Sequence, residues 1–567
     1  MSDVIVERDQ PATMRDGCVL RADIYRPDRD GTFPALICRT PYGKYRKTSE
    51  TTARELAALG YVAIVQDLRG CKTSDGDFVW IMNPEGERQD AEDGYDSVEW
   101  AAGLPWVDGR VGTWGVSNPS GCAWRLAGEQ PPSLIALHTA GFSEKSTQMN
   151  FGILDTGRRF QWAYNLAADT KRRHGATHFP LTGEEANDDW FNILRGKWIW
   201  QIPLSSIPDN VFGPLTPQLH RWYREVHEDV WKIDRIHPRV TVPTLSMTGW
   251  WDRLHGTVKN FEGMVRASGG NPDGRHRLLI GPWSHNPDFL HGRLGPRDYG
   301  PEAETTYGAL LARYYDHFIK GLDNGVAEEA PVQLFVLNAN TWIRAETYPL
   351  PQTRWTDFFL GSSGSANTPD GDGTLRPGEP VDSAPDTYTY DPADPVMSLM
   401  APDSQAVPMD QRPLDSRQDV LVYQTEPLTE PLVVAGPVRC EFFAASSAVD
   451  TDFTLKLVEV GADGVAINLS WAIVRARYRE GYDREVPLRP GEVTRFEVEM
   501  SPIAIRFEKG SRVRLDISSS DFPNFDRNHN TGRSDYWNDP DFVVAEQVLH
   551  HDRRYPSRLI LPVIPQA

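Results

Sequence analysis

Cysteine is scarce and unpatterned in this chain: five in 567 residues, at Cys18, Cys38, Cys71, Cys122 and Cys440, with no CxxC pair and no histidine at ligand spacing. That scatter speaks against a disulfide framework or a structural metal site, and no metal or other cofactor is expected. Clusters of Lys and Arg are missing as well. With 59 basic and 79 acidic residues, a net charge of -20 and a pI near 5.2, the chain offers no patch for a phosphate backbone or an anionic lipid surface. Nucleic acid and membrane are therefore not expected as partners. No run of eighteen apolar residues occurs, and the start MSDVIVERDQPATMRDG has no basic opening followed by an apolar core, so a cytoplasmic protein is expected. No repeat at solenoid spacing is present.

What is there points to a large α/β protein with more than one core. At 567 residues and 40% hydrophobic content the chain exceeds what a single core organises. Cys18 to Pro27, Pro34 to Thr40 and Tyr61 to Gly70 read as strands, and SETTARELAALG (Ser49 to Gly60) reads as a helix capped by Ser49 and stopped by glycine. Glu85 to Gly103 has helical period with an acidic face, read as solvated. Alternation of this kind favours a mostly parallel sheet flanked by helices. From about Lys145 to Arg239 strand signals fade into Trp- and Arg-rich helical stretches, an inserted helical cap. Strands return at Thr241 to Asp252 and Arg275 to His285. After Glu328 short alternating runs such as VQLFVLN, TDFFLG and SRVRLDISSS indicate a β-sandwich or jelly roll, with Ser362 to Pro380 as a loop or hairpin connection. The expected division is 1–144 with 240–328, a cap at 145–239, and a β-domain at 329–567.

The segment VGTWGVSNPSG (Val111 to Gly121) carries the strongest chemical signal. A strand ends, a sharp turn holds Ser117, and a helix leaves with its N-terminus toward the serine, the pattern of a nucleophile elbow. A serine hydroxyl needs an imidazole to take its proton and a carboxylate to orient that imidazole. Asp252 and His285 each follow an apolar strand, and the order Ser, Asp, His is that of the α/β-hydrolase sheet.

Several phrases, in order and almost end to end, resemble one family: MRDGCVLRADIYRP (Met14 to Pro27), RTPYGK (Arg39 to Lys44), GYVAIVQDLRGCKTSDG (Gly60 to Gly76), WVDGRVGTWGVS (Trp106 to Ser117), GWWD (Gly249 to Asp252), GPWSH (Gly281 to His285) and FEKGSRVRLDISSSDFPNFDRN (Phe507 to Asn528). The chain is similar to the cocaine esterase and X-prolyl dipeptidyl-peptidase (CocE/NonD) family of serine hydrolases. The resemblance implies an α/β-hydrolase domain, a helical cap and a C-terminal jelly roll meeting at the active site. It implies Ser117 as nucleophile, His285 as general base and then acid, Asp252 as the orienting carboxylate, and the Tyr42 hydroxyl with the Asn118 backbone N–H as oxyanion donors. It also implies a small-molecule ester or amide substrate. At the elbow the family phrase Gly-x-Ser-Tyr-x-Gly is altered: Asn118 replaces the tyrosine, Pro119 follows, and Ser120 stands at the glycine position. Proline is tolerated in a first helical turn. The change is expected to alter the substrate pocket rather than the mechanism.

Trp162 and Trp251 are the candidates for aromatic walls against a substrate, from a set that includes Phe151, Phe160, Tyr164 and Trp250; core packing is the favoured reading of any one of these aromatics, and Trp162 is the first choice as a wall. Asp155, Glu144 and Asp169 could hold a substrate ammonium, but the nearby Arg158, Arg159, Lys171, Arg172 and Arg173 disfavour a cationic amine; ordinary surface charge is the favoured reading of the segment, with a neutral or carboxylated substrate as the alternative. An acyl-enzyme esterase is the main expectation. An acyltransferase or X-Pro aminopeptidase with the same triad, and a non-catalytic binding protein, are the alternatives. A homodimer through β-edges is left open.

Overall fold

A computed structural model describes residues 4–83, 86–176, 179–180, 182–225, 228–253, 256–285, 290–399 and 406–565. The first half builds one twisted sheet from β1 (Val4–Thr13), β2 (Val19–Pro27), β3 (Phe33–Thr40), β4 (Val62–Asp67), β5 (Val107–Thr113), β6 (Leu134–Ala140), β7 (Thr244–Trp251) and β8 (His276–Ser284). Their order is β1-β2-β4-β3-β5-β6-β7-β8. The six strands from β4 to β8 run parallel, and β2 joins β4 antiparallel. These strands are near-continuous apolar runs because helices cover both faces: all six residues of β4 and all eight of β7 are buried.

Three helices pack on the sheet early in the chain: α1 (Lys47–Ala58), α2 (Glu87–Ala102) and α3 (Asn118–Gly128). Helix α1 starts two residues before Ser49, and its N-cap residue, Arg46, makes no capping bond, so the expected Ser49 cap does not form. Helix α2 begins at Glu87, while Glu85 lies outside the described residues. Its acidic face is not fully solvated as expected. Asp93 is buried against Arg69, and Asp90 pairs with the buried Arg39. Arg39 lies on β3 and Arg69 just beyond β4, so the acids tie helix to sheet.

Between β6 and β7 the described residues are helical or irregular, led by α4 (Thr156–Arg173). This layer packs on the sheet through a core that includes Trp80, Trp124, Phe142, Phe160, Trp190 and Trp231. Beyond β8, two strands that follow the expected boundary at 329 join the first sheet. Strand Val332–Val336, within VQLFVLN, adds parallel to β8, and Thr341–Ala345 closes that edge antiparallel. The remaining strands, from Arg354–Gly361 to Arg558–Ile564, form a thirteen-stranded, mainly antiparallel assembly. Strands Arg354–Gly361 and Thr374–Pro377 pair antiparallel, so residues 362–373 are the hairpin connection and the rest of the Ser362 to Pro380 stretch supplies the second strand. Among the described residues no helix is long and apolar enough to cross a membrane.

The β-region grips the cap through main-chain bonds. Gly157 N–H donates to Pro523 O at 3.0 Å, and Asp526 N–H donates to Leu154 O at 2.7 Å. The start of α4 is thereby set by residues some 370 positions away. Asp526 itself is buried, and burial pushes its carboxyl up to about 6 while Arg475 and Arg527 oppose the shift. A raised folded-state value means that this group favours the fold fully below the ordinary carboxylate range and loses that contribution as pH rises through about 6. Asp526→Asn is expected to raise the apparent melting temperature at pH 8 and to leave it unchanged near pH 4; thermal melts at the two pH values check this.

Candidate active site

The turn after β5 has the backbone that the sequence pattern calls for. Ser117 sits at φ 69° and ψ -124°, and α3 starts at the next residue. A non-glycine residue at positive φ is strained by about 1–3 kcal/mol, so its surroundings must over-determine it. They do so through the end of β6. Ser117 N–H donates to Ala140 O at 2.9 Å, and Val116 bridges to Ala140 in parallel register. Ser120, in the family's glycine position, adds a second tether. Its Oγ accepts the Ala140 N–H at 2.8 Å and lies 2.9 Å from the Gly115 and Ala140 carbonyls. Gly115, at φ 127°, has no room for a side chain because a Cβ would fall 2.5 Å from Pro119 Cβ. The departures at the elbow thus lock the turn.

Asn118 opens α3, and its backbone N–H donates to no carbonyl among the described residues. Such amides at a helix N-terminus are ready-made anion donors. The Asn118 side chain is buried, with Oδ1 accepting from Cys122 Sγ at 3.5 Å beside Leu68, Ile81 and Arg125. It stands where the family phrase has a tyrosine.

Tyr42 reaches this turn from the loop after β3. Its N–H is held by Thr40 Oγ1 at 3.1 Å, and Lys44 two residues on is anchored twice to the buried Asp67 at the end of β4, by N–H at 2.8 Å and by Nζ at 3.1 Å. The Tyr42 hydroxyl accepts from Trp162 Nε1 at 3.0 Å and stands within hydrogen-bonding reach of the Ser117 side chain. Burial holds the phenol protonated, above its ordinary range, which keeps it a donor.

Asp252 and His285 come together from the ends of β7 and β8. His285 Nδ1 lies 2.8 Å from Asp252 Oδ1, with side chains 13% and 2% exposed. An ionised carboxylate only accepts, so the ring proton belongs on Nδ1 and Nε2 is left basic. Thr248, four residues back on β7, donates to Asp252 Oδ2 at 3.1 Å. Gly141, at φ 55°, lies against the pair, and a Cβ there would fall 2.8 Å from Asp252 Oδ2 and 3.0 Å from His285 Nδ1. One small cavity is lined by Val116, Ala140, Gly141, Asp252 and His285, so the elbow and the acid–base pair share the end of β6. Thr248 and Gly141 escaped sequence reasoning, and Ser120 stands out there only as a departure from the family phrase, not as a tether. Only the positions next to strand ends could have drawn attention to them.

Trp162 lies on α4, edge-on to Trp80 at 5.0 Å, and touches the site through Tyr42. Trp251 does not line the site as expected. It is 1% exposed and packs beside Tyr299 in the core between the first sheet and the β-region. Its neighbour Trp250 is buried in the same core, with Nε1 donating to Phe335 O at 2.8 Å, so neither indole is left for a substrate wall. The three cap carboxylates are all engaged internally. Asp155 caps α4 by accepting from Arg158 N–H at 2.9 Å and pairs with the buried Arg253; Asp169 accepts from Lys72 N–H at 2.6 Å; Glu144 accepts from Gln148 at 3.2 Å. No ammonium seat is left among them.

A strained serine between a parallel strand and a helix, beside an Asp–His pair at neighbouring strand ends, defines a serine hydrolase of the α/β-hydrolase class. Residues 16–287 match the X-Pro dipeptidyl-peptidase (S15 family) model, and residues 324–560 match the X-Pro dipeptidyl-peptidase C-terminal non-catalytic domain. The chain is 34% identical to cocaine esterase of Rhodococcus sp. (strain MB1 Bresler), with 97% of each chain covered. Two solved structures share the fold at 24% identity. An aminopeptidase of a marine sediment Thaumarchaeota archaeon superposes with a TM-score of 0.85, covering 100% of this chain and 97% of that one. An α-amino acid ester hydrolase superposes with a TM-score of 0.83, covering 99% and 97%. The protein belongs to the cocaine esterase and X-prolyl dipeptidyl-peptidase family of serine hydrolases.

Ser120→Ala would leave the Ala140 N–H and the Gly115 carbonyl without their buried partner, at a cost of about 1–3 kcal/mol. A lowered melting temperature together with slower fluorophosphonate labelling is expected; an unchanged labelling rate would show that Ser120 does not hold the turn.

Proposed function

We propose that the protein cleaves a carboxylic ester through an acyl-enzyme, with Ser117 as nucleophile, His285 as base and acid, and Asp252 as its orienting partner. The observation that carries this reading is the 2.8 Å Asp252–His285 bond at the ends of β7 and β8, which leaves Nε2 as acceptor beside the end of β6 that holds the Ser117 turn. Nε2 takes the hydroxyl proton as Ser117 Oγ attacks the carbonyl carbon, and the carbonyl oxygen becomes an oxyanion. The Tyr42 hydroxyl and the Asn118 N–H receive that charge. Both are fixed before reaction, which is what makes such donors effective. Collapse expels the alcohol, which takes the proton from His285. Water, deprotonated by the same Nε2, then attacks the acyl carbonyl through a second oxyanion and frees the acid and Ser117. An amide would follow the same route with an amine leaving.

The five free thiols, four of them buried, support a cytoplasmic setting.

Ser117→Ala is expected to abolish both turnover of p-nitrophenyl esters and covalent labelling by a fluorophosphonate; labelling that survives the change would remove Ser117 from the reaction. Tyr42→Phe, which keeps the ring and removes one oxyanion donor, is expected to lower kcat by about 10²- to 10³-fold with KM little altered. Steady-state kinetics on one aryl ester decide it, and an unchanged kcat would exclude the hydroxyl from the oxyanion site.

A further inference from the structure

Helix α4 carries a buried cation that the reaction above does not use. Arg159 is 6% exposed, and among the described residues no side chain hydrogen-bonds or ion-pairs with its guanidinium, whose Nε is buried without a partner. A desolvated, unpaired charge is among the least favourable things a fold can contain, and such groups are normally matched. The carboxylate that might have matched it is committed elsewhere. Asp155, one helical turn before, has one oxygen on the α4 amide of Arg158 and the other on Arg253. Arg195, half-buried and also without a partner among the described residues, shares the same neighbourhood of Asp155 and Arg253. Arg253 thus takes the buried carboxylate, and Arg159 and Arg195 are left without an ion-pair partner among the described residues. Burial pulls Arg159 down to about 10, with Asp155 opposing and Arg158 and Arg253 adding to the shift.

The location gives this excess charge a purpose. Arg159 lies over the Trp162 ring, 5.5 Å from its centroid, and Trp162 donates to the Tyr42 hydroxyl that stands beside Ser117. Only one indole separates the unpaired guanidinium from the oxyanion donor. A planar guanidinium presents two parallel N–H groups that fit a carboxylate. We propose that Arg159 is the seat for a carboxylate carried by the substrate, so that esters with a free carboxylate near the scissile bond are this enzyme's preferred class. The inference rests on the esterase reading above and narrows it.

The test pairs each carboxylated ester with a neutral isostere. On the acyl side p-nitrophenyl hydrogen adipate is compared with p-nitrophenyl methyl adipate; on the leaving side 4-carboxyphenyl butyrate is compared with its methyl ester. The wild-type enzyme is expected to favour the carboxylate in at least one pair by about tenfold or more in kcat/KM, mostly through KM, the scale of one charge-assisted contact. Arg159→Met is expected to bring that ratio close to one, and Arg159→Lys to leave it between the two. A purely structural arginine would instead lower both members of a pair alike. Ratios near one in both pairs for the wild type, or a ratio unmoved by Arg159→Met, overturn the proposal. Calorimetry with adipate on the wild type and on Arg159→Lys covers the case in which Arg159→Met does not fold. Tighter binding by the wild type supports the seat, and absence of binding at millimolar adipate overturns it. Should no ester be turned over at all, the esterase reading fails while the adipate measurement still decides the anion seat.

Discussion

Everything at the site depends on holding Ser117 at a positive φ. The strain is modest in energy but local, and it survives because the end of β6 grips the turn from two sides, by the Ser117 amide and by the Ser120 hydroxyl on Ala140. The same strand end continues into Gly141, where the missing side chain leaves room for Asp252 and His285. One strand terminus therefore aligns the turn, the first amide of α3 and the acid–base pair. The unusual SNPSG phrase fits this logic. Proline occupies a helical position with no hydrogen bond to lose, and serine replaces glycine with a side chain that bonds the backbone it approaches.

A second constraint acts across the layers. The β-region binds the residues on either side of Asp155 through Pro523 and Asp526, and Arg253 at the end of β7 binds Asp155 itself. Removing one partner of such a buried pair typically costs about 3–5 kcal/mol, so α4 is strongly registered against the sheet. That registration brings Trp162 to Tyr42 and places Arg159 behind it. The aromatic and cationic side chains of the cap are thus part of the same framework as Tyr42.

The strand and helix pattern, the order Ser117, Asp252, His285 and the PYGK phrase were legible along the chain because each is a local signal: apolar runs that end at a polar residue, a glycine-serine turn, a motif. The amino-acid sequence by itself determined that a parallel sheet would present these groups at its strand ends. Partnership was decided only in three dimensions. VQLFVLN has the same alternation whether it joins the first sheet or the second, and pairing with β8 settled it. Trp251 and Trp162 look alike as aromatic residues near a site, yet the β-region buries one and Tyr42 engages the other. Asp155 and Arg159 read as an ordinary charged turn of helix. Which of them is matched depended on Arg253, a residue 98 positions away, because the energy of a buried charge is set by its neighbours in space and not by its place in the chain.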